Sequence, residues 1–255
     1  MFAQLKRHPI PVRAFFEHSV VLTYALPKDA LLPYLPPGLE LDEYNGSGLL
    51  AIALVQTRGL RPDFFPAFLG QDFFLAGYRI FVKHRGAAGR MLRGLRILRS
   101  YADSKLMVWA GNLLTHYNYR RAVVRVDHDG ERLRIRTATG DHDGELDVEV
   151  DLFADPEALP PGSVFVDMKH ARRFAGPLPF TFDYEQETDS IIVIEGQREH
   201  WDPRAVGVIV RRNTFLDRFT ASGVLPVLAN AFYVGGVPYR WLRGRREPLG
   251  TRHHG

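Results

Sequence analysis

The 255-residue chain contains no cysteine and only five lysines, at positions 6, 28, 83, 105 and 169, against 28 arginines. Without cysteine there is no thiolate nucleophile, no disulfide and no thiolate metal site. The scarcity of lysine narrows any imine chemistry to a few positions. Lys105 follows Asp103-Ser104 at the start of a stretch with helical apolar spacing. The positive end of a helix dipole favours an uncharged amine, and an imine-forming lysine needs that form. Lys83 stands beside His84 at the end of a candidate strand, whereas Lys6, Lys28 and Lys169 lie in loop-like contexts. A second set of residues mixes phenol, imidazole and guanidinium groups: His116, Tyr117, Tyr119, Arg120 and Arg121, then Glu195, Arg198, His200 and Trp201. Arginine with tyrosine and histidine suits a carboxylate or an enolisable carbonyl.

Other chemistries find little support. The ten histidines are mostly isolated, and neither HExxH nor a carboxylate-rich calcium loop occurs. The sequence Asp-His-Asp-Gly appears at 127–130 and again at 141–144, each time where a hairpin needs a turn. There is no GxxxxGK[ST], no GxGxxG between strand and helix, and no GxSxG elbow. No cofactor is implied. Residues 239–246, YRWLRGRR, interleave aromatics with arginines as single-strand binders do. A solvated basic tail that includes His253-His254 is the simpler reading, since the net charge is only +4 over the whole chain. Nucleic acid is therefore disfavoured as a partner. The longest apolar runs fall short of the ~18 residues that cross a bilayer, and the first residues lack a signal-like apolar stretch. A cytoplasmic protein is expected, and a homo-oligomer is compatible with the chain.

These groups must be positioned by a sheet-rich framework, because period-two apolar alternation and frequent turn signals dominate the chain. Strands are predicted over 12–26, 73–84 and 91–100, with a short helix over 28–35. Asn45-Gly46 between two extended runs predicts a hairpin. A helix is predicted over 104–114, capped by Asp103 or Ser104, with Leu106, Trp109, Ala110, Leu113 and Leu114 on one face. Residues 119–152 read as a three-stranded meander. Leu133, Ile135 and Thr137 would oppose Leu152, Val150 and Val148, with Arg121, Arg134 and Arg136 on the charged face. A hairpin is expected over 179–199, a short strand at 205–211 and a helix from Pro226 to Gly235-Gly236.

Several segments resemble a known group. LLPYLPPGLELDEYNGSGLLAIALVQTRGLRP, FFLAGYRIFVKHRG, YADSKLMVWAGNLL, HYNYRRA and, more faintly, EGQREHWDP are similar to the YqjF-like uncharacterised family of the acetoacetate decarboxylase-like superfamily. The likeness covers about residues 12–210 and leaves the last 45 unmatched. It implies an α+β fold in which a strongly curved, mainly antiparallel sheet forms a cone or barrel around a small-molecule cavity, with a few short helices. The chain would be one domain, with 213–255 a helical and basic extension. Decarboxylases of the superfamily carry Pro-Lys-Lys just after the helix. The matching stretch is Asn118-Tyr119-Arg120, so Tyr119 occupies the position of the imine-forming lysine. An acidic residue common in the relatives' Tyr-Arg strand is replaced by Leu75. Arg79 matches the strand's arginine and shares Leu75's side by the two-residue period. Both departures argue against acetoacetate decarboxylation.

Three readings follow. In the first, a cavity binds, and in some form transforms, a small organic acid, carbonyl or aromatic compound. Arg79 and Arg121 hold it, Tyr119, His116 or His200 moves protons, and Trp201 walls the pocket. In the second, the protein is a non-enzymatic binding partner that docks through its basic aromatic C-terminus. In the third, Lys105 replaces the missing lysine in a Schiff-base lyase.

Overall fold

The computed structural model describes residues 3–154 and 158–249. The strands are β1 (Val12–Pro27), β2 (Glu40–Leu41), β3 (Ser47–Pro62), β4 (Gln71–Arg85), β5 (Met91–Ala102), β6 (Tyr119–Arg121), β7 (Val123–His128) and β8 (Arg132–Ala138). They continue as β9 (Leu146–Asp151), β10 (Phe180–Glu185), β11 (Ser190–Arg198), β12 (Arg204–Ala205), β13 (Gly207–Asn213), β14 (Val227–Trp241) and β15 (Arg245–Pro248). The helices are α1 (Lys105–Leu114), α2 (Met168–Ala175) and α3 (Thr214–Ala221). No described helix is long and apolar enough to cross a membrane.

The large sheet runs β12-β14-β1-β3-β4-β5-β10-β11-β15. An additional pairing of β11 with β14, from Gly196↔Trp241 to Arg198↔Tyr239, joins the strands that lie second from each end of this order. β7, β8, β9 and β13 form a second, four-stranded sheet. One apolar core joins the sheets: Leu50, Ile52, Leu54, Tyr78 and Ile80 from the large one, Leu133, Ile135, Val148 and Val150 from the small one, and Phe215 from α3. Tyr78 stacks on Phe215 with ring centroids 4.0 Å apart.

Several sequence expectations need correction. The Asn45-Gly46 turn forms with both residues at positive φ, but it closes only a Tyr44–Ser47 bridge. β2 then pairs with β4 rather than β3. The helix expected over 28–35 is two 3-10 turns. Helix α1 is capped by Ser104, which accepts from the Met107 N–H at 3.2 Å. Its expected apolar face is not the buried one, because Leu106 and Trp109 remain 49% and 65% exposed. The meander exists with the expected faces and a shifted register: Leu133 opposes Val150 and Ile135 opposes Val148. Residues 119–121 do not belong to it. They pair in parallel with β5.

The last segment departs furthest from expectation. In place of a helical extension over 213–255, only α3 is helical among the described residues of that segment. β14 pairs with β1 along most of its length, and β15 pairs with β11. The buried Glu247 anchors β15, accepting from His84 Nε2 at 3.0 Å and from the Ala87 N–H at 3.1 Å. The segment is therefore integral to the sheet up to residue 249. His253-His254 lies outside the described residues.

Candidate functional site

The odd-numbered face of β3 and β4 sets three small residues, Ala51, Ala53 and Gly77, among larger apolar ones around Arg79. Ala51, Ala53, Leu75 and Phe81 line an enclosed cavity of about 140 Å³, and Arg79 reaches into it. A Cβ on Gly77 would lie 3.1 Å from an Arg79 terminal nitrogen, so this glycine gives the guanidinium its room. The Arg79 Nε has no hydrogen-bond partner. No carboxylate among the described residues lies within ion-pair distance of it, and none lines the cavity. Burial lowers its pKa, and Tyr239, Tyr119 and Tyr117 oppose that shift in that order. An arginine so placed stays charged. The site therefore holds a half-buried cation, its Nε sealed from solvent, without a counter-ion among the described residues.

Tyr119 forms part of the opposite wall. Its backbone is clamped by the Asn112 side chain of α1, which accepts from the Tyr119 N–H at 2.8 Å and donates to its carbonyl at 2.9 Å. The helix comes this close because residue 111 is glycine: a Cβ there would sit 2.4 Å from the Tyr119 ring. Burial raises the Tyr119 pKa, with Arg79 acting against it. Burial likewise raises Tyr117 and Tyr239. All three phenols are therefore protonated at neutral pH and can donate a hydrogen bond. Ser100 and Thr181 supply hydroxyls to the same cavity.

The C-terminal strand completes the wall. Tyr239 stacks on Phe16 at 4.8 Å and packs on Trp241 at 4.5 Å. Gly196 admits the Tyr239 hydroxyl, which a Cβ at that position would meet at 2.0 Å. Arg198 donates to the Pro177 carbonyl at 2.7 Å. Its guanidinium lies 5.3 Å from the centre of the Trp201 ring. An open cleft of about 1060 Å³, with Arg13, Arg58, Arg61 and Arg240 in its walls, meets the cavity at Arg198 and Tyr239.

Of the predicted site residues, Arg79, Tyr119 and Trp201 meet at this cavity. The others do not line it. Arg121 is exposed, since β6 belongs to the large sheet and turns this side chain outward. His200 is exposed beyond the end of β11. His116 lies in a different pocket, where burial lowers its pKa. Lys105 opens α1 as an exposed residue, so the dipole argument applies to a side chain in solvent. Lys83 does not line the cavity either. Sequence reasoning missed Ser100, Thr181, Tyr239 and Trp241. Gly111 and Gly196, each needed for a close aromatic approach, were the signals available.

Comparisons with known proteins agree with this architecture. A family profile described as "Uncharacterized conserved protein (COG2071)" matches residues 13–238. No curated protein matches the chain in sequence. Among solved structures, acetoacetate decarboxylase from Legionella pneumophila subsp. pneumophila str. Philadelphia 1 superposes with a TM-score of 0.64 at 10% identity, covering 94% of this chain and 88% of that one. An acetoacetate decarboxylase-like enzyme from Sphingomonas wittichii RW1 gives 0.57 at 14% identity, covering 93% and 92%. The enduracididine biosynthesis enzyme MppR complexed with pyruvate gives 0.59 at 15% identity, covering 93% and 90%. At these identities the likeness shows the fold: α+β, dominated by sheet and shared with acetoacetate decarboxylase-like enzymes.

Proposed function

The chain belongs to the DUF2071 family, and from that premise we propose that it binds a small oxo acid or related organic anion in the Arg79 cavity, without forming an imine. The resemblance of its YRIFVKH and HYNYRRA segments supports a place among YqjF-like members. The observation that carries the functional reading is the half-buried Arg79 guanidinium, with its Nε sealed and no carboxylate partner. Leaving a charge buried and unpaired is costly, and a bound carboxylate offsets that cost.

Size supports the same ligand class. A cavity of about 150 Å³ can hold benzene, so about 140 Å³ suits a ligand of three or four carbons. MppR, which shares the fold, is described in complex with pyruvate. The carboxylate would face Arg79, and a protonated phenol such as Tyr119 would donate to a carbonyl or enolate oxygen. No lysine, histidine or carboxylate lines the cavity. The arrangement therefore favours binding and polarisation over imine formation or proton abstraction by a side chain. Tyr239 and Trp241 serve as cavity walls, which weakens the reading of the C-terminus as a free docking tail.

The test pairs calorimetry with trapping. Pyruvate and acetoacetate should bind the wild-type protein, and Arg79→Ala should lose at least tenfold in affinity while keeping its thermal transition. Cyanoborohydride with the same acids should leave no saturating adduct in the intact mass. Unchanged affinity in Arg79→Ala, or a stoichiometric lysine adduct, would sink the reading.

A further inference from the structure

A second polar pocket, of about 400 Å³, lies where β5, β10, α3, the turn after β1 and the loop between α1 and β6 converge. Arg96, Arg99, His116, Asn118, Asp183 and Arg218 line it. Buried polar atoms normally have partners, and the exceptions require an explanation. Among the described residues sixteen buried side-chain polar atoms lack a hydrogen-bond partner, and six of them are in this one pocket: Arg96 Nε and Nη1, Arg99 Nε and Nη1, His116 Nε2 and Asp183 Oδ2, with Arg99 Nη1 still in ion-pair contact with Asp143 at 3.5 Å. These atoms come from three separate segments, so no single side-chain rotation pairs them all.

Charge points the same way. Asp143 is already shared by Arg218 at 2.6 Å, Arg99 at 3.5 Å and Arg120 at 3.6 Å. Arg120 also pairs with Asp141. Arg96 makes no ion pair and has only Asp183 as a nearby carboxyl group. Among these pairs four guanidiniums face three carboxyl groups, and the other charges acting on His116 or paired beside it, Lys6 and Arg7 against Glu187 and Glu185, leave that excess unchanged. Water can satisfy single donors, but it cannot balance a charge.

We propose that this pocket binds a phosphoryl group, held by Arg96, Arg99 and His116 and sharing a proton with Asp183. A carboxylate is planar and matches one guanidinium edge. A phosphate monoester offers three terminal oxygens and can reach donors in several directions. Its second ionisation falls near pH 6, so it can present a proton to Asp183 when that group is ionised. Burial raises the Asp183 pKa to about 7, against the opposing pull of Arg96 and the backbone N–H groups of His116 and Tyr184. The two groups are therefore matched for proton sharing near neutrality. Ile97 lines both this pocket and the Arg79 cavity, so the two sites are neighbours. The proposal does not depend on what the cavity binds.

The test is calorimetric titration of the full chain with inorganic phosphate, phenyl phosphate and sulfate at pH 7. Phosphate, phenyl phosphate or both should bind one to one with submillimolar affinity. Phenyl phosphate alone would identify a phosphorylated organic compound as the source, and equal binding would identify the phosphoryl group itself. Sulfate, which has no proton to share, should bind at least tenfold more weakly, and Asp183→Asn should narrow that gap. Arg96→Met should weaken phosphate binding at least tenfold, whereas Arg79→Met should leave it intact. In the unsubstituted protein, phosphate should also shift the His116 ring-proton resonance, assigned with His116→Gln, and this readout does not require the Arg96 variant to fold. Absence of phosphate and monoester binding, equal affinity for sulfate, loss on Arg79→Met but not Arg96→Met, or an unmoved His116 resonance at saturation would each overturn the proposal.

Discussion

The two faces of β3 and β4 share one backbone and are put to different uses. On the even-numbered face, Leu50, Ile52, Leu54, Tyr78 and Ile80 are large, fully enclosed and packed against the second sheet and α3. On the odd-numbered face, Ala51, Ala53 and Gly77 are small, and the volume they leave is occupied by Arg79 and the cavity around it. Alternation along a strand separates the faces, and side-chain size then decides which becomes core and which becomes site. The first face accounts for stability. The second keeps a charged side chain that the core could not tolerate unpaired.

That contrast can be broken from the core side first. Tyr78→Ala removes a fully buried ring that stacks on Phe215 and meets Tyr101 edge-on at 5.8 Å. The loss should be about 3–5 kcal/mol in chemical denaturation. A much smaller loss would mean that this face is not the structural one. On the opposite face, Ala53→Leu grows a buried residue that packs with Phe16 and Val55 into the cavity it lines. Stability should fall by about 1–3 kcal/mol, less than for Tyr78→Ala, while oxo-acid affinity falls at least tenfold. A variant that binds normally would separate the ligand from this cavity.

These faces are legible in the sequence because both depend on period-two alternation. That period alone puts Arg79 and Leu75 on one side of β4, and residue type and position together narrow the helix cap to Asp103 or Ser104, of which the structure uses Ser104. The small sheet shows the limit of the same signal. An even-numbered shift in register keeps every apolar side chain on its face, so Leu133 opposing Val150 rather than Leu152 leaves the pattern unchanged. The β14 segment reads as a helix because its central residues, Ala229 to Phe232, are buried on both faces, which erases the alternation. Ending that helix at Gly235-Gly236 leaves Tyr239 and Trp241 to be read as part of a basic tail, and one cavity wall is missed with them. Chain proximity and residue type group His116 and His200 with Tyr119. The fold sends His116 to the Arg96 pocket and His200 to the surface. Nearness along the chain fixes neither direction nor burial.

The central claim is that Arg79 needs an anion, and charge discrimination tests it most directly. Pyruvate and pyruvamide are nearly equal in size and differ in the charge at the carboxyl end. Titrated into the wild-type protein, pyruvate should bind at least tenfold more tightly than the amide, and in Arg79→Gln that ratio should collapse toward one. Equal binding of the two by the wild-type protein would contradict the account, because the half-buried guanidinium would then not be what recognises the ligand.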